Sequence, residues 1–192
     1  MTDTFLLPAG VDARELRTAL GHFATGVAVI TARDVRGPVG MTVNSFCSVS
    51  LDPPLVLFCP SRESRTWPVI ERAGRFCVNV LGHEQQDVST VFGRGGEDKF
   101  NGTPWRFSPG GAPLLDGVLT WLDCAIDTVH EAGDHYVVIG RVTELGPPGD
   151  GRPLLFYRGS YTVTEHSSAV PLATTATDFD SLFTWPRPDD WV

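Results

Sequence analysis

The stretch from Gly40 to Thr66 constrains this chain more than any other. Runs over Val39 to Phe46 and Leu55 to Cys59 flank Asp52-Pro53-Pro54, so the segment is predicted as two strands joined by a Pro-Pro turn. Small hydroxyls and an amide gather at the strand ends: Thr42, Asn44 and Ser45 on one, Ser61, Ser64 and Thr66 beyond the other. Arg62 and Arg65 stand among them. Such a surface suits a flat, polar, phosphate-bearing ligand, with amides and hydroxyls along its edge and guanidinium groups at its anion.

Strands and turns dominate the rest. Gly (20) and Pro (15) are frequent, which favours short strands over long helices. A length of 192 residues suits one domain, with or without an appendage. The net charge of −8 argues against nucleic acid as a partner. No apolar run is long enough to span a bilayer, and Phe5-Leu6-Leu7 is too short for a leader, so no membrane role and a cytoplasmic location are expected. Cys47, Cys59, Cys77 and Cys124 lack metal-ligand spacing and are each expected to act as small buried hydrophobes. Lys99 is the one lysine among 15 basic residues, an arginine bias that by itself locates no site.

A helix is predicted over residues 12–24. Asp12 is its cap, Leu16, Leu20, Phe23 and Ala24 its apolar stripe, and Gly26 its end. Val27 to Ala32 follows as a strand, with a turn over Asp34 to Pro38. A second helix is predicted over Ser64 to Arg72, capped by Ser64 or Thr66 and closed by Gly74. Arg75 to Leu81 is a strand, His83 to Phe92 helical, and Gly93 to Pro113 a long connection. In Trp121 to Val129, Asp123 and Asp127 alternate with apolar residues and are expected on the solvated face. Gly133-Asp134 is a turn, Tyr136 to Leu145 a strand bent at Gly140, and Leu154 to Thr164 one or two closing strands. The pattern suggests a Greek-key barrel decorated with helices.

Several segments together resemble the flavin reductase family with the split β-barrel fold, over about Leu16 to Thr164. They are the Gly40–Thr66 run, Val91 to Phe100 with its Lys99-Phe100 end, Gly133-Asp134-His135 followed by Gly140, and Leu155-Phe156-Tyr157-Arg158-Gly159-Ser160-Tyr161. The resemblance implies FAD or FMN as cofactor and NADH or NADPH as reductant. It places the flavin ring at Met41, Thr42, Val43, Asn44 and Ser45, with Ser48 beside it. Cys59, Pro60, Ser61, Ser64, Arg65 and Thr66 would run toward the flavin phosphate. Phe92, Lys99 and Phe100 would flank the flavin, and His135, Tyr157 and Arg158 the nicotinamide side, with His135 positioning the nicotinamide nucleotide. The implied activity is NAD(P)H:flavin oxidoreduction, delivering free reduced flavin to a partner monooxygenase, in a homodimer.

Two alternatives stay open on the residues. One is a non-catalytic flavin-binding module, which would have no need of the Gly-Asp-His turn. The other is an oxidase of the pyridoxine-phosphate type, which would call for a denser basic cluster. The division expected is a barrel domain over residues 1–165 and a tail over 166–192. The tail is Ser/Thr-rich at its start yet holds Phe179, Phe183, Trp185 and Trp191, so docking on the barrel or across a dimer is expected of it.

Overall fold

A computed structural model gives the fold and describes residues 10–96 and 99–164. The chain begins with α1 (Ala13–Leu20), β1 (Thr25–Gly26), β2 (Ala28–Asp34), β3 (Gly37–Val43), β4 (Cys47–Leu51) and β5 (Pro54–Phe58). It continues through α2 (Trp67–Ala73), β6 (Arg75–Val80), a 3-10 turn at His83–Gln85 and α3 (Gln86–Gly93). The remainder is strand: β7 (Trp105–Phe107), β8 (Pro113–Leu115), β9 (Thr120–Ala132), β10 (His135–Leu145), β11 (Leu155–Tyr157) and β12 (Ser160–Thr162). The tail expectation lies outside the described residues.

Seven strands form one antiparallel sheet in the order β3-β2-β6-β9-β10-β5-β4. β3 and β4 are consecutive in the chain yet occupy opposite edges of this sheet. Asn44-Ser45-Phe46 therefore bridges the two edges across a seam where no ladder forms. This is the split of the split barrel. A three-stranded sheet, β1-β11-β12, and a ribbon, β7-β8, complete the architecture.

Both faces of β2 are buried, since strand residues alternate between two cores. Ala28, Ile30 and Ala32 join Val43, Val56, Phe58, Phe76 and Val138 beneath α2. Val27 and Val29 join Leu81, Phe92, Leu115 and Leu154 in a second cluster. Trp67 and Ile70 are the α2 residues that fill the first core. Gly140 sits at a shift in the β9–β10 register, where a β-carbon would lie 2.5 Å from Phe76 Cζ. Close packing, more than backbone freedom, demands glycine there.

Four sequence expectations need correction. The first helix ends at Leu20, with Gly21 as its cap, because Gly26 is drawn into pairing with Leu155. Its stripe faces outward: Leu20 is 62% and Phe23 76% exposed. A third strand, β4, lies between the two predicted around the Pro-Pro turn. The connection after Gly93 carries the β7–β8 ribbon. Asp123 is buried, because residues 108–112 fold over it: Ser108 Oγ and Gly110 N–H each donate to its carboxylate at 2.7 Å. Asp127 instead pairs with Arg141 at 2.6 Å.

The cysteines divide as well. Cys77 and Cys124 are buried, but Cys59 is half-buried and Cys47 is exposed, contrary to expectation. Burial, reinforced by the Asp123 charge, pushes the Cys124 thiol up to about 12 and raises Cys77 too. Unfolded thiols titrate near 9.0, so the folded state holds protons that the unfolded state releases as pH rises above that value. Stability should therefore fall above about pH 9. Urea midpoints measured from neutral pH upward should decline there, and decline less steeply in Cys77→Ala/Cys124→Ala.

Candidate functional site

The outer edge of β3 is where polar groups accumulate. Gly40 carbonyl points away from β2 and accepts from Lys99 Nζ at 3.1 Å. Strand alternation then turns the backbone groups of Thr42 outward as well, toward the seam. Met41 and Val43 turn their side chains into the first core and, by the same alternation, their backbone groups toward β2. Thr42 Oγ1 donates to Ser89 carbonyl at 2.7 Å, which ties β3 to α3. Ser45 Oγ accepts from Cys59 N–H at 2.9 Å and joins the seam to the end of β5. Ser48 is exposed on β4. Burial, with Cys47 adding to it, raises the Cys59 thiol above its ordinary value.

Lys99 also donates to Phe92 carbonyl at 3.0 Å, and burial lowers its ammonium below the usual range. Phe92 itself is a core residue, 1% exposed, so its ring cannot meet a ligand directly. Phe100 packs edge-on against Phe92 and Trp105, at 5.0 and 5.6 Å between ring centres. Lys99 is thus tied to Gly40 on β3, and Phe100 to Phe92 at the end of α3.

Beyond β5 the backbone turns against the Gly-Asp-His hairpin. Tyr136 N–H donates to the carbonyl of buried Pro60, and Arg62 N–H to Asp134 carbonyl, both at 2.9 Å. Ser61 bridges to His135. His135 Nδ1 lies 2.8 Å from Asp134 Oδ1, and this contact holds the Asp134 carboxyl below its ordinary range. His135, the first residue of β10, thus lies beside Ser61 and Arg62. Arg62 reaches Glu131 at 3.3 Å and lies over the Tyr136 ring.

At the start of α2 the backbone donors are already engaged. Ser64 Oγ accepts from Thr66 N–H at 3.2 Å and Trp67 N–H at 3.1 Å, so the first donors of the helix are taken by its own cap. Pro68 has no N–H to offer. The Arg65 guanidinium is exposed, and among the described residues no carboxylate comes within ion-pair distance of it.

Between the β3 end, α3 and β11–β12 lies a cavity of about 450 Å³. Thr42 and Asn44 form one wall, Phe156 and Tyr161 another, and Ser89, Thr90, Gly93 and Arg94 a third. Ser89, Arg94, Phe156 and Tyr161 were not singled out from the sequence, although Phe156 and Tyr161 lie in the closing segment. Their neighbours Tyr157 and Arg158 were, and they turn toward α1. Tyr157 meets His22 edge-on, and Arg158 N–H donates to Gly21 carbonyl. Arg158 holds φ 49°, a left-handed conformation, at the hairpin tip before Gly159. A hollow of about 550 Å³ over α1 lies open along one helix, and none of the predicted site residues lines it. Among the described residues no helix is long and apolar enough to cross a membrane, and no cluster of acidic, His or Cys side chains is placed to hold a metal.

Comparison with known proteins identifies the family and the fold. The family described as flavin reductase like domain matches residues 20–165. The reductase subunit HsaB of a flavin-dependent monooxygenase from Rhodococcus jostii is 48% identical, covering 95% of this chain and 93% of its own length. The crystal structure of nitrilotriacetate monooxygenase component B from Mycobacterium thermoresistibile superposes with a TM-score of 0.81 at 48% identity, over 89% of this chain and 96% of that one. The NADH:FAD oxidoreductase SgcE6 of Streptomyces globisporus, solved with NAD and FAD fragments, gives a TM-score of 0.79 at 34% identity, over 82% and 96%. With its split barrel, its open β3 edge and a family match spanning most of its length, this chain belongs to the flavin reductase-like family.

Proposed function

We propose that the protein is an NADH-dependent flavin reductase that supplies reduced flavin to a separate monooxygenase. The observation that carries this reading is the cavity between the outer edge of β3 and β11–β12, where Thr42 and Asn44 form one wall, in a chain of this family. The hydroxyl and amide of that wall fit the polar edge of a flavin ring, and Val27 supplies apolar contact. A flavin held there would supply N5 as the acceptor for a hydride from a reduced nicotinamide ring.

The residues bind, orient and exclude water, and none need act as an acid or base. Backbone groups of Thr42, Asn44 and Ser45 face the ring edge across the seam. Arg65 reaches the phosphate by side chain alone, since Ser64 occupies the helix donors. His135 orients the nicotinamide nucleotide from the hairpin, steadied by Asp134. Two copies pair in this reading, and the support is the exposed apolar face of α1, where Val11, Leu16, Leu20 and Phe23 are unburied. Light scattering on the full chain checks that pairing.

The reading is tested by flavin titration and NADH oxidation with free flavin present. Arg65→Ala should weaken flavin binding by about 1.5–3 kcal/mol, the worth of one charge-assisted hydrogen bond. His135→Ala should raise the apparent KM for NADH and leave flavin affinity nearly unchanged. Unaltered flavin binding in Arg65→Ala would remove the phosphate assignment. Flavin lost with NADH handling intact would move His135 to the other subsite.

A further inference from the structure

Within the cavity, one polar contact joins two walls that are far apart in sequence. Ser89 Oγ on α3 lies 2.9 Å from Tyr161 Oη on β12. Ser89 is fully buried, and its carbonyl is pinned by Thr42 Oγ1. The Tyr161 ring packs at 70° against Phe156, with 5.6 Å between ring centres. The position of the Tyr161 oxygen is thereby fixed, while either hydroxyl can be the donor.

The chemistry of that pair is adaptable. Two hydroxyls share two protons, and the bond between them uses one. When Ser89 donates, the Tyr161 proton is available to the cavity. When Tyr161 donates, its oxygen presents a lone pair. A primary carboxamide offers a matching pair of groups, a carbonyl acceptor and an N–H donor. A flavin ring lying along Thr42 and Asn44 leaves the opposite wall, Phe156 and Tyr161, to whatever stacks on its other face.

We propose that Tyr161, backed by Ser89, is a specificity-determining residue that holds the carboxamide of the nicotinamide ring while Phe156 bounds the ring's apolar side. This rests on the flavin reading above and adds the group that reads the reductant. It sets nicotinamide orientation, and hence which C4 hydrogen faces the flavin, through one hydroxyl outside the Gly-Asp-His hairpin.

The test uses the full chain with saturating flavin and two reductants: NADH and its reduced 3-acetylpyridine analogue, which has a methyl ketone in place of the carboxamide. Tyr161→Phe should raise KM for NADH by roughly 3- to 10-fold, the worth of one neutral hydrogen bond. Flavin affinity and the urea midpoint should stay near those of the wild type. The preference for NADH over the analogue should narrow, which a purely structural role would not produce. Ser89→Ala should narrow it in the same direction. An unchanged preference in Tyr161→Phe, or a loss of flavin affinity with KM for NADH intact, would overturn the proposal. Absence of saturable flavin binding in the wild type would instead defeat the underlying flavin reading, so the two failures are distinguishable.

Discussion

Phe58→Ala is expected to lower the unfolding free energy by about 3–5 kcal/mol, the largest loss foreseen for any single side chain here. Phe58 is 0% exposed at the end of β5. Its ring meets Phe76 at 5.1 Å and Trp67 at 6.1 Å, both edge-on, so it joins β6 and α2 to β5. Truncation removes its transfer free energy and leaves a cavity between two large aromatics that cannot both move in. Because Cys59, Pro60 and Ser61 follow directly, flavin binding should weaken in the same variant. Urea unfolding followed by tryptophan fluorescence reads the stability, and a loss under about 1 kcal/mol would show that the site collapses without a void.

Asp123→Ala comes second in size. The carboxylate accepts from Ser108 Oγ and Gly110 N–H, and the residue is 2% exposed. Removing it leaves two donors in or near the core without partners, at about 1–3 kcal/mol each where water cannot reach them. Asp123→Asn keeps the volume and one acceptor, so it should recover part of the loss. The connection over residues 108–112 should lose hydrogen-exchange protection before the barrel does. Equal protection in wild type and Asp123→Ala would show that the β7–β8 ribbon, not Asp123, holds this segment down.

The barrel itself was legible, because alternation marks a half-buried strand directly and Gly or Pro marks its ends. Ser64 as the cap of α2 and Gly74 as its close were legible for the same reason: each is a local hydrogen-bond or φ requirement, and Gly74 holds φ 66°. Three kinds of residue were not. The stripe of Leu16, Leu20 and Phe23 announces an amphipathic helix but carries no information about what covers it. Asp123 follows the polar phase of β9, and only a loop from elsewhere in the chain makes that position interior. The cavity's Ser89 and Tyr161 stand 72 residues apart, so their contact has no local signature. Within the closing segment, Tyr157 and Tyr161 were equivalent as letters. The two-residue hairpin at Arg158-Gly159 sends one to α1 and the other to the cavity.

Seven strands with β3 and β4 at opposite edges stop short of a cylinder. An eighth strand, or a direct β3–β4 ladder, would satisfy every backbone group along the seam and leave nothing for a small molecule to recognise. If flavin binds along this seam, as proposed, incomplete closure is what leaves the edge free to receive it. Lys99 stoppers Gly40 on that edge, blunting it against stray strands while the Thr42 to Ser45 stretch stays open. On the proposed reading, a redesign that zipped the seam shut for greater stability would abolish flavin binding while leaving the fold intact.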